Sequence, residues 1–148
     1  MQRIVVAVDG SAPSLKAVDL AAELASKYNA ELILFSVARK FSPVIDAELE
    51  AYARLEHIQT PLGELGAAAA ETVLADARLA AAAKGAIRIS TQSASGDPAE
   101  EIIALANARH ADLVVIGSRG HGRLAGLLLG SVAQKVVAHA SCPVIVVR

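Results

Sequence analysis

The sequence predicts a single α/β domain in three layers, with helices on both faces of a five-stranded parallel sheet. Three observations predict it. Four short apolar runs, many of them rich in β-branched residues, occur at 4–8, 32–37, 113–116 and 144–147, and an alternating segment at 87–93 makes a fifth strand. Segments with helical periodicity separate them, and right-handed crossovers between parallel strands place such helices on both faces. The length, 148 residues, suits one domain, 1–148, with one core and no disulfide or metal staple.

The elements follow in order. Ile4 to Val8 is a continuous apolar run, as expected of a strand buried on both faces. Asp9, Gly10 and Ser11 break it, and Pro13 suits the first turn of a helix over about 13–28. Leu15, Val18, Ala22 and Ala25 share one face of that helix, and Asn29 stops it. Residues 32–37 form the second strand. The stretch 39–61 holds Pro43, Asp46, Tyr52, His57 and Pro61 without a clean period, and reads as a loop with a short helical piece at about 46–57.

Residues 63–84 are Ala-rich and helical, with Val73, Leu74, Ala77 and Ala81 on one face and Gly85 at the end. Small side chains also let a helix lie close to a sheet. Residues 87–93 alternate apolar and polar, which suits an edge strand. Asp97 can cap the next helix, with Pro98 in its first turn and Glu100 as a capping-box acid. Ile102, Ile103, Leu105 and Ala106 form its inward face, up to about Arg109. A fourth strand at 113–116, a glycine-rich loop at 117–130, a helix at 131–139 and a last strand at 144–147 complete the chain.

Composition excludes several function classes. Lys and Arg number 14 against 15 Asp and Glu, a formal net charge of -1, which argues against binding polyanions through bulk positive charge. Aromatic residues make up 3% and Trp is absent, so platforms that stack single-stranded nucleic acid are not expected. No apolar run approaches the ~18–20 residues of a membrane span. The single cysteine, Cys142, precludes an internal disulfide or a cysteine metal cluster and reads as a small apolar residue. The apolar run at the amino terminus is short and ends in Asp9, so no secretory signal is read and a cytoplasmic location is expected.

The loop at 117–130 carries the chemistry. Its glycines, at 117, 120, 122, 126 and 130, permit positive φ and close approach to the main chain, so successive amides can form an anion nest. Gly130 and Ser131 open a helix, whose free amides and dipole favour a phosphate. Arg119 and Arg123 either supply charge there or stand as solvated loop residues. A P-loop is excluded because Ser131 stands where lysine is needed. The letters of a dinucleotide fingerprint occur at 120–125, but inside a long loop near the chain end and without an acid about 20 residues on. His121 has no partner spaced for a metal set, and His57, His110 and His139 read as surface histidines. Asp9 suits either a cap on the turn after the first strand or a ribose contact. Ser131 can cap its helix as well as bind. The leucines at 127–129 read as packing rather than as a partner surface.

The pattern Gly117-x2-Gly120-x9-Gly130-Ser131 resembles the nucleotide-binding signature of universal stress proteins. The likeness covers essentially the whole chain. It includes the opening Val6-Ala7-Val8-Asp9-Gly10-Ser11, the middle Gly96-Asp97-Pro98, the strand from Asp112 to Gly117 and the ending from Ser141 to Val147. The resemblance implies strand order 3-2-1-4-5, related to the adenine nucleotide alpha-hydrolase-like folds, and ATP as ligand. By position it implies phosphate contacts at Gly117, Gly120, Gly130 and Ser131. Gly122 belongs to the same loop, which Arg119 and Val132 line. Asp9 lies near the ribose, Val37 near adenine, and Ala7 and Val8 on the floor. It also implies a homodimer through Val144–Val147, where a short apolar edge strand would otherwise invite aggregation.

Hydrolysis needs a positioned base and usually a metal-binding acid. The glycine loop has neither Asp nor Glu, and Asp9 is the one obvious acid near the expected pocket. The leading expectation is a nucleotide-dependent regulatory module that acts on a protein partner the sequence does not name. The other readings are a homodimeric scaffold with a vestigial pocket and a slow ATPase. Mg2+, if used, would arrive with the triphosphate, since no protein cage for it is evident.

Overall fold

The computed structural model describes residues 1–40, 43–56, 62–120 and 129–148, with backbone alone at 43–46 and 62–63. The elements in order are β1 (Arg3–Ala7), α1 (Ala12–Tyr28), β2 (Glu31–Arg39), α2 (Pro43–Leu55), α3 (Leu62–Ala83), β3 (Ile89–Gly96), α4 (Pro98–Ala108), β4 (Leu113–Gly117), α5 (Ser131–His139) and β5 (Val144–Val147). The five strands form one parallel sheet of order β3-β2-β1-β4-β5, as expected.

Strand alternation divides the core into two layers. Ile4, Val6, Val8, Leu32, Leu34, Leu113 and Val115 face α1 and α3. Val5, Ile33, Phe35, Val114 and Ile116 face α4 and α5. Each fully buried Val, Leu or Ile contributes roughly 1.5–3 kcal/mol relative to exposure. The helices that cover these layers press mainly alanine onto the sheet, namely Ala17, Ala21, Ala22, Ala77 and Ala81 on one face and Ala99, Ala106 and Ala133 on the other. Small contacts bring helix axes close and keep the domain thin.

Capping fixes the helix ends. The Ser11 hydroxyl accepts the Ser14 amide at 3.4 Å, and Asn29 closes α1 in the left-handed conformation at φ 49°. Asp97 Oδ1 accepts the amides of Ala99 at 3.0 Å and Glu100 at 3.1 Å.

Three local expectations are corrected. Leu15 is 42% exposed, because the first turn of α1 presents Ser14 inward instead. The Ser14 hydroxyl donates to the Ser11 carbonyl at 2.9 Å, and that bond secures the turn without an apolar anchor. The edge strand lies at Ile89–Gly96, not 87–93, and Ile87 is 88% exposed. Alternation of apolar and polar residues begins at Ile87, but ladder pairing with β2 runs from Leu32↔Ile89 to Arg39↔Gly96 and decides the bounds. Between β2 and α3 the chain forms a full helix, α2, which Pro43 opens with its preset φ.

Two carboxylates carry a pH signature. Asp97 is held below the ordinary carboxylate range chiefly by the Glu100 amide, with Lys135 adding to the effect. Asp112 is held down by the amides of Gln2 and Arg3, at 2.5 and 3.0 Å from its Oδ2. A depressed folded pKa stabilises the fold above the unfolded value, about 3.9, and that contribution is lost as pH falls through the folded value. Thermal melts between pH 6 and pH 2 should therefore fall most steeply below about pH 4. Asp97→Asn should flatten that slope while keeping most of the cap, and an unchanged slope would contradict this.

Candidate functional site

β1 ends at Ala7, opposite Phe35, while β2 runs on to Arg39. Along a parallel strand, successive residues aim their N–H and C=O at alternate neighbours. The Phe35 carbonyl accepts the Val8 amide at 2.8 Å, on the β1 side. The amides of Leu32 and Lys40 donate to Arg88 and Gly96, on the β3 side. Odd-numbered residues of β2 thus address β1, and at Val37 no residue of β1 is left to meet. Its main-chain donor and acceptor open into the space beyond.

That space is a cleft of about 830 Å³ over the carboxyl ends of β1, β2 and β4, where the strand order reverses. Ala7, Val8, Asp9, Val37, Gly117, Arg119, Gly120, Gly130, Ser131 and Val132 all line it. Gly122, expected beside them, lies outside the described residues, as do His121, Arg123, Gly126, Leu127, Leu128, His57 and Pro61.

At one end the cleft meets the amino terminus of α5. Gly130 is the N-cap, with φ -63° and ψ 154°, and no side chain caps this helix. Ser131 is therefore the first helical residue rather than the cap. The Gly130 amide is engaged, donating to the Ser118 carbonyl at 2.8 Å. The amides at the start of the first turn, from Ser131 onward, have no side-chain acceptor, which makes them the natural anion donors at the positive end of the helix dipole. Two other helix starts at the cleft differ, because Asp97 already occupies the first amides of α4 and the Ser11 hydroxyl accepts the Ser14 amide in α1.

The described loop glycines, 117, 120 and 130, have no positive φ and serve close packing instead. A Cβ on Gly117 would stand 2.8 Å from both the Pro13 carbonyl carbon and the Ser14 amide nitrogen. Gly117 therefore lets β4 and the first turn of α1 touch. A Cβ on Gly120 would stand 2.6 Å from Asp9 Oδ2. Asp9 Oδ1 accepts the Ser11 amide at 2.9 Å and the Ser11 hydroxyl at 2.5 Å. The acid thus ties the turn after β1 and also lines the cleft. Among the described residues it is the one carboxylate that does so.

Sequence reasoning missed three contributors. The first is the α3 wall, formed by Gly66, Ala69, Ala70 and Val73. Its signal was the run of small residues, which allows a Gly66 Cβ to reach within 3.5 Å of Ala38 Cβ. The second is Ser36, in the middle of an apolar strand. The third is Ser118, 3% exposed, whose hydroxyl has no hydrogen-bond partner among the described residues. An unpaired buried hydroxyl costs about 1–3 kcal/mol. Ser118→Ala should therefore leave the empty protein as stable as before or up to about 1 kcal/mol more stable in urea unfolding. A loss of that size would contradict the orphaned state.

Leu129 also lines the cleft. His110 and His139 are exposed. Cys142 is half-buried against the α4/α5 side of the core, and burial pushes its thiol above the ordinary range. Among the described residues no group of His, Cys, Asp and Glu could hold a metal ion, and no helix is long and apolar enough to cross a membrane.

Residues 1–148 match the family described as the universal stress protein family. Universal stress protein YxiE of Bacillus subtilis is 36% identical over 147 residues, covering 99% of this chain and 98% of its own. The universal stress protein UspA structure from Lactobacillus plantarum superposes with TM-score 0.80 at 26% identity, covering 99% of this chain and 97% of its own. A universal stress protein solved in complex with cAMP superposes with TM-score 0.70 at 31% identity, covering 99% and 96%.

Proposed function

The chain belongs to the universal stress protein family, and from that premise we propose that its cleft holds an adenine nucleotide, ATP foremost, as the signal of a regulatory module. The observation that carries this reading is the pairing, in one cleft, of two main-chain sets without a hydrogen-bond partner among the described residues. The Val37 N–H and C=O match the adjacent acceptor and donor on the edge of adenine. The first-turn amides of α5 match a phosphate chain. A volume of about 830 Å³ suits a ligand of that size. The relative solved with cAMP supports the adenylate class.

In this reading Ala7 and Val8 floor the cleft and Asp9 receives the ribose. Gly117, Gly120, Gly122, Gly130 and Ser131 leave room for or contact the phosphates, with Arg119 and Val132 beside them. A bound Mg2+ would balance phosphate charge and would come with the triphosphate, since among the described residues Asp9 alone offers the cleft a carboxylate. The same scarcity of acids favours binding over turnover. Native mass spectrometry of the protein purified without added nucleotide, then with it, tests the reading. One adenylate per chain is expected, and bare protein at millimolar ATP would reject it.

We propose further that two chains pair through Val144–Val147. These four residues are only half-buried, and β5 has a strand neighbour, β4, on one side alone. An unpaired apolar edge favours pairing with a second copy. Sedimentation equilibrium should give twice the chain mass, and Ile145→Lys should shift it towards monomer. A monomeric parent protein would contradict the pairing. Regulation would reach an unidentified protein partner by a difference between the bound and empty surfaces, in the cytoplasm.

A further inference from the structure

We propose that Ser36 is a base-reading residue, whose hydroxyl hydrogen-bonds the purine ring and sets the preference of the cleft for the base. The inference rests on the adenine-nucleotide reading above and adds a side chain to a base site otherwise built from main chain and apolar surface.

Only four polar or charged residues of the described chain are buried, and all are serines: Ser11, Ser14, Ser36 and Ser118. Ser11 and Ser14 spend their hydroxyls on the turn after β1. Ser118 adjoins the start of α5, at the phosphate end, where its carbonyl accepts the Gly130 amide. Ser36 stands apart from these. It is 5% exposed and lines the cleft, and its hydroxyl, unlike that of Ser118, is not fully buried and makes no hydrogen bond among the described residues.

Its surroundings make that hydroxyl conspicuous. Strand alternation puts Ser36 on the face of Leu32 and Leu34, towards α3. The residues of α3 that line the cleft there are Ala69, Ala70 and Val73. Leu34, one step down the same face, is fully buried, so a leucine or valine at 36 would have continued the core at no polar cost. A serine there loses apolar burial and leaves a donor and two acceptors to be met. Val37, the next residue, turns its main chain into the same cleft. A base held at Val37 thus lies within one residue of the hydroxyl, which can donate to a ring nitrogen or accept from an exocyclic amine.

The test is titration calorimetry on the full chain, the wild type against Ser36→Ala and Ser36→Thr. The ligands are ATP, 1-deaza-ATP, 7-deaza-ATP, purine riboside triphosphate and inorganic tripolyphosphate. Ser36→Ala should weaken ATP on the order of fivefold to tenfold, as one neutral hydrogen bond predicts. It should leave tripolyphosphate unchanged, and its effect should vanish with the one analogue that lacks the contacted atom. Ser36→Thr, which keeps the hydroxyl, should retain most of the affinity. If Ser36→Ala binds ATP like the wild type, or loses equally against every ligand, the proposal is overturned while the nucleotide site stands. If the wild-type protein ignores ATP altogether, the nucleotide reading falls first and this proposal with it.

Discussion

Gly117→Ala should destabilise the fold by about 1–3 kcal/mol, with a larger loss for Gly117→Val. The added carbon would stand 2.8 Å from two backbone atoms of the first turn of α1, and neither can rotate aside. Either β4 or the helix start must move. That turn carries Ser11 and Ser14, which fix Asp9, so the cleft should loosen with it. Urea unfolding measures the first effect. Gly120→Ala is the control, because the atom it meets is the end of a side chain, Asp9 Oδ2, and its stability loss should be the smaller. Equal losses at 117 and 120 would show that the contact with α1 does not govern the position.

The second large effect separates binding from folding. Ser131→Glu places a carboxylate in the first turn of α5, where no side chain caps the helix. An acid there interacts favourably with the helix dipole, so stability should hold or rise by about 0.3–1 kcal/mol. The same charge would repel a phosphate drawn to those amides. Two like charges about 4 Å apart near a protein surface interact by roughly 4 kcal/mol, so ATP affinity should fall at least about 100-fold. Loss of binding with unimpaired unfolding is the expected pattern. Retained binding would move the phosphates away from α5.

Most of the fold was legible in the sequence because its strands are buried on both faces. Runs such as Ile4–Val5–Val6 and Leu113–Val114–Val115–Ile116 admit few other readings, and Gly85 and Asn29 punctuate the helices between them. Legibility failed where burial does not select the residues. β3 is an edge strand held by its ladder to β2, so Ser93 and Ser95 serve as well as apolar residues there. α2 buries little, Ala53 being its one buried side chain among the described residues, and its sequence lacks the period a core would impose.

At the site, the spaced glycines and the start of α5 could be located from letters alone, and ten of the eleven residues singled out surround one cleft. Their local roles could not be read so directly. The same letter G serves a helix cap at 130, a close backbone contact at 117 and clearance for Asp9 at 120. Only coordinates separate these uses. The open main chain of Val37 was invisible for a related reason, since it depends on β1 ending two residues short of it in the ladder. Ser36 and Ser118 were passed over because an isolated serine carries no pattern. The meaning of Ser118 comes from burial without a partner among the described residues, and that of Ser36 from its place in the cleft wall.

The central claim is that main-chain groups of Val37 and of the α5 amino terminus, without partners among the described residues, together hold an adenylate. Titration calorimetry of the purified full chain with ATP, beside GTP and tripolyphosphate, tests it most directly. The account predicts one site per chain with Kd below about 1 mM for ATP and weaker binding of the other two. No binding of ATP at that concentration, or equal affinity for bare tripolyphosphate, would contradict it.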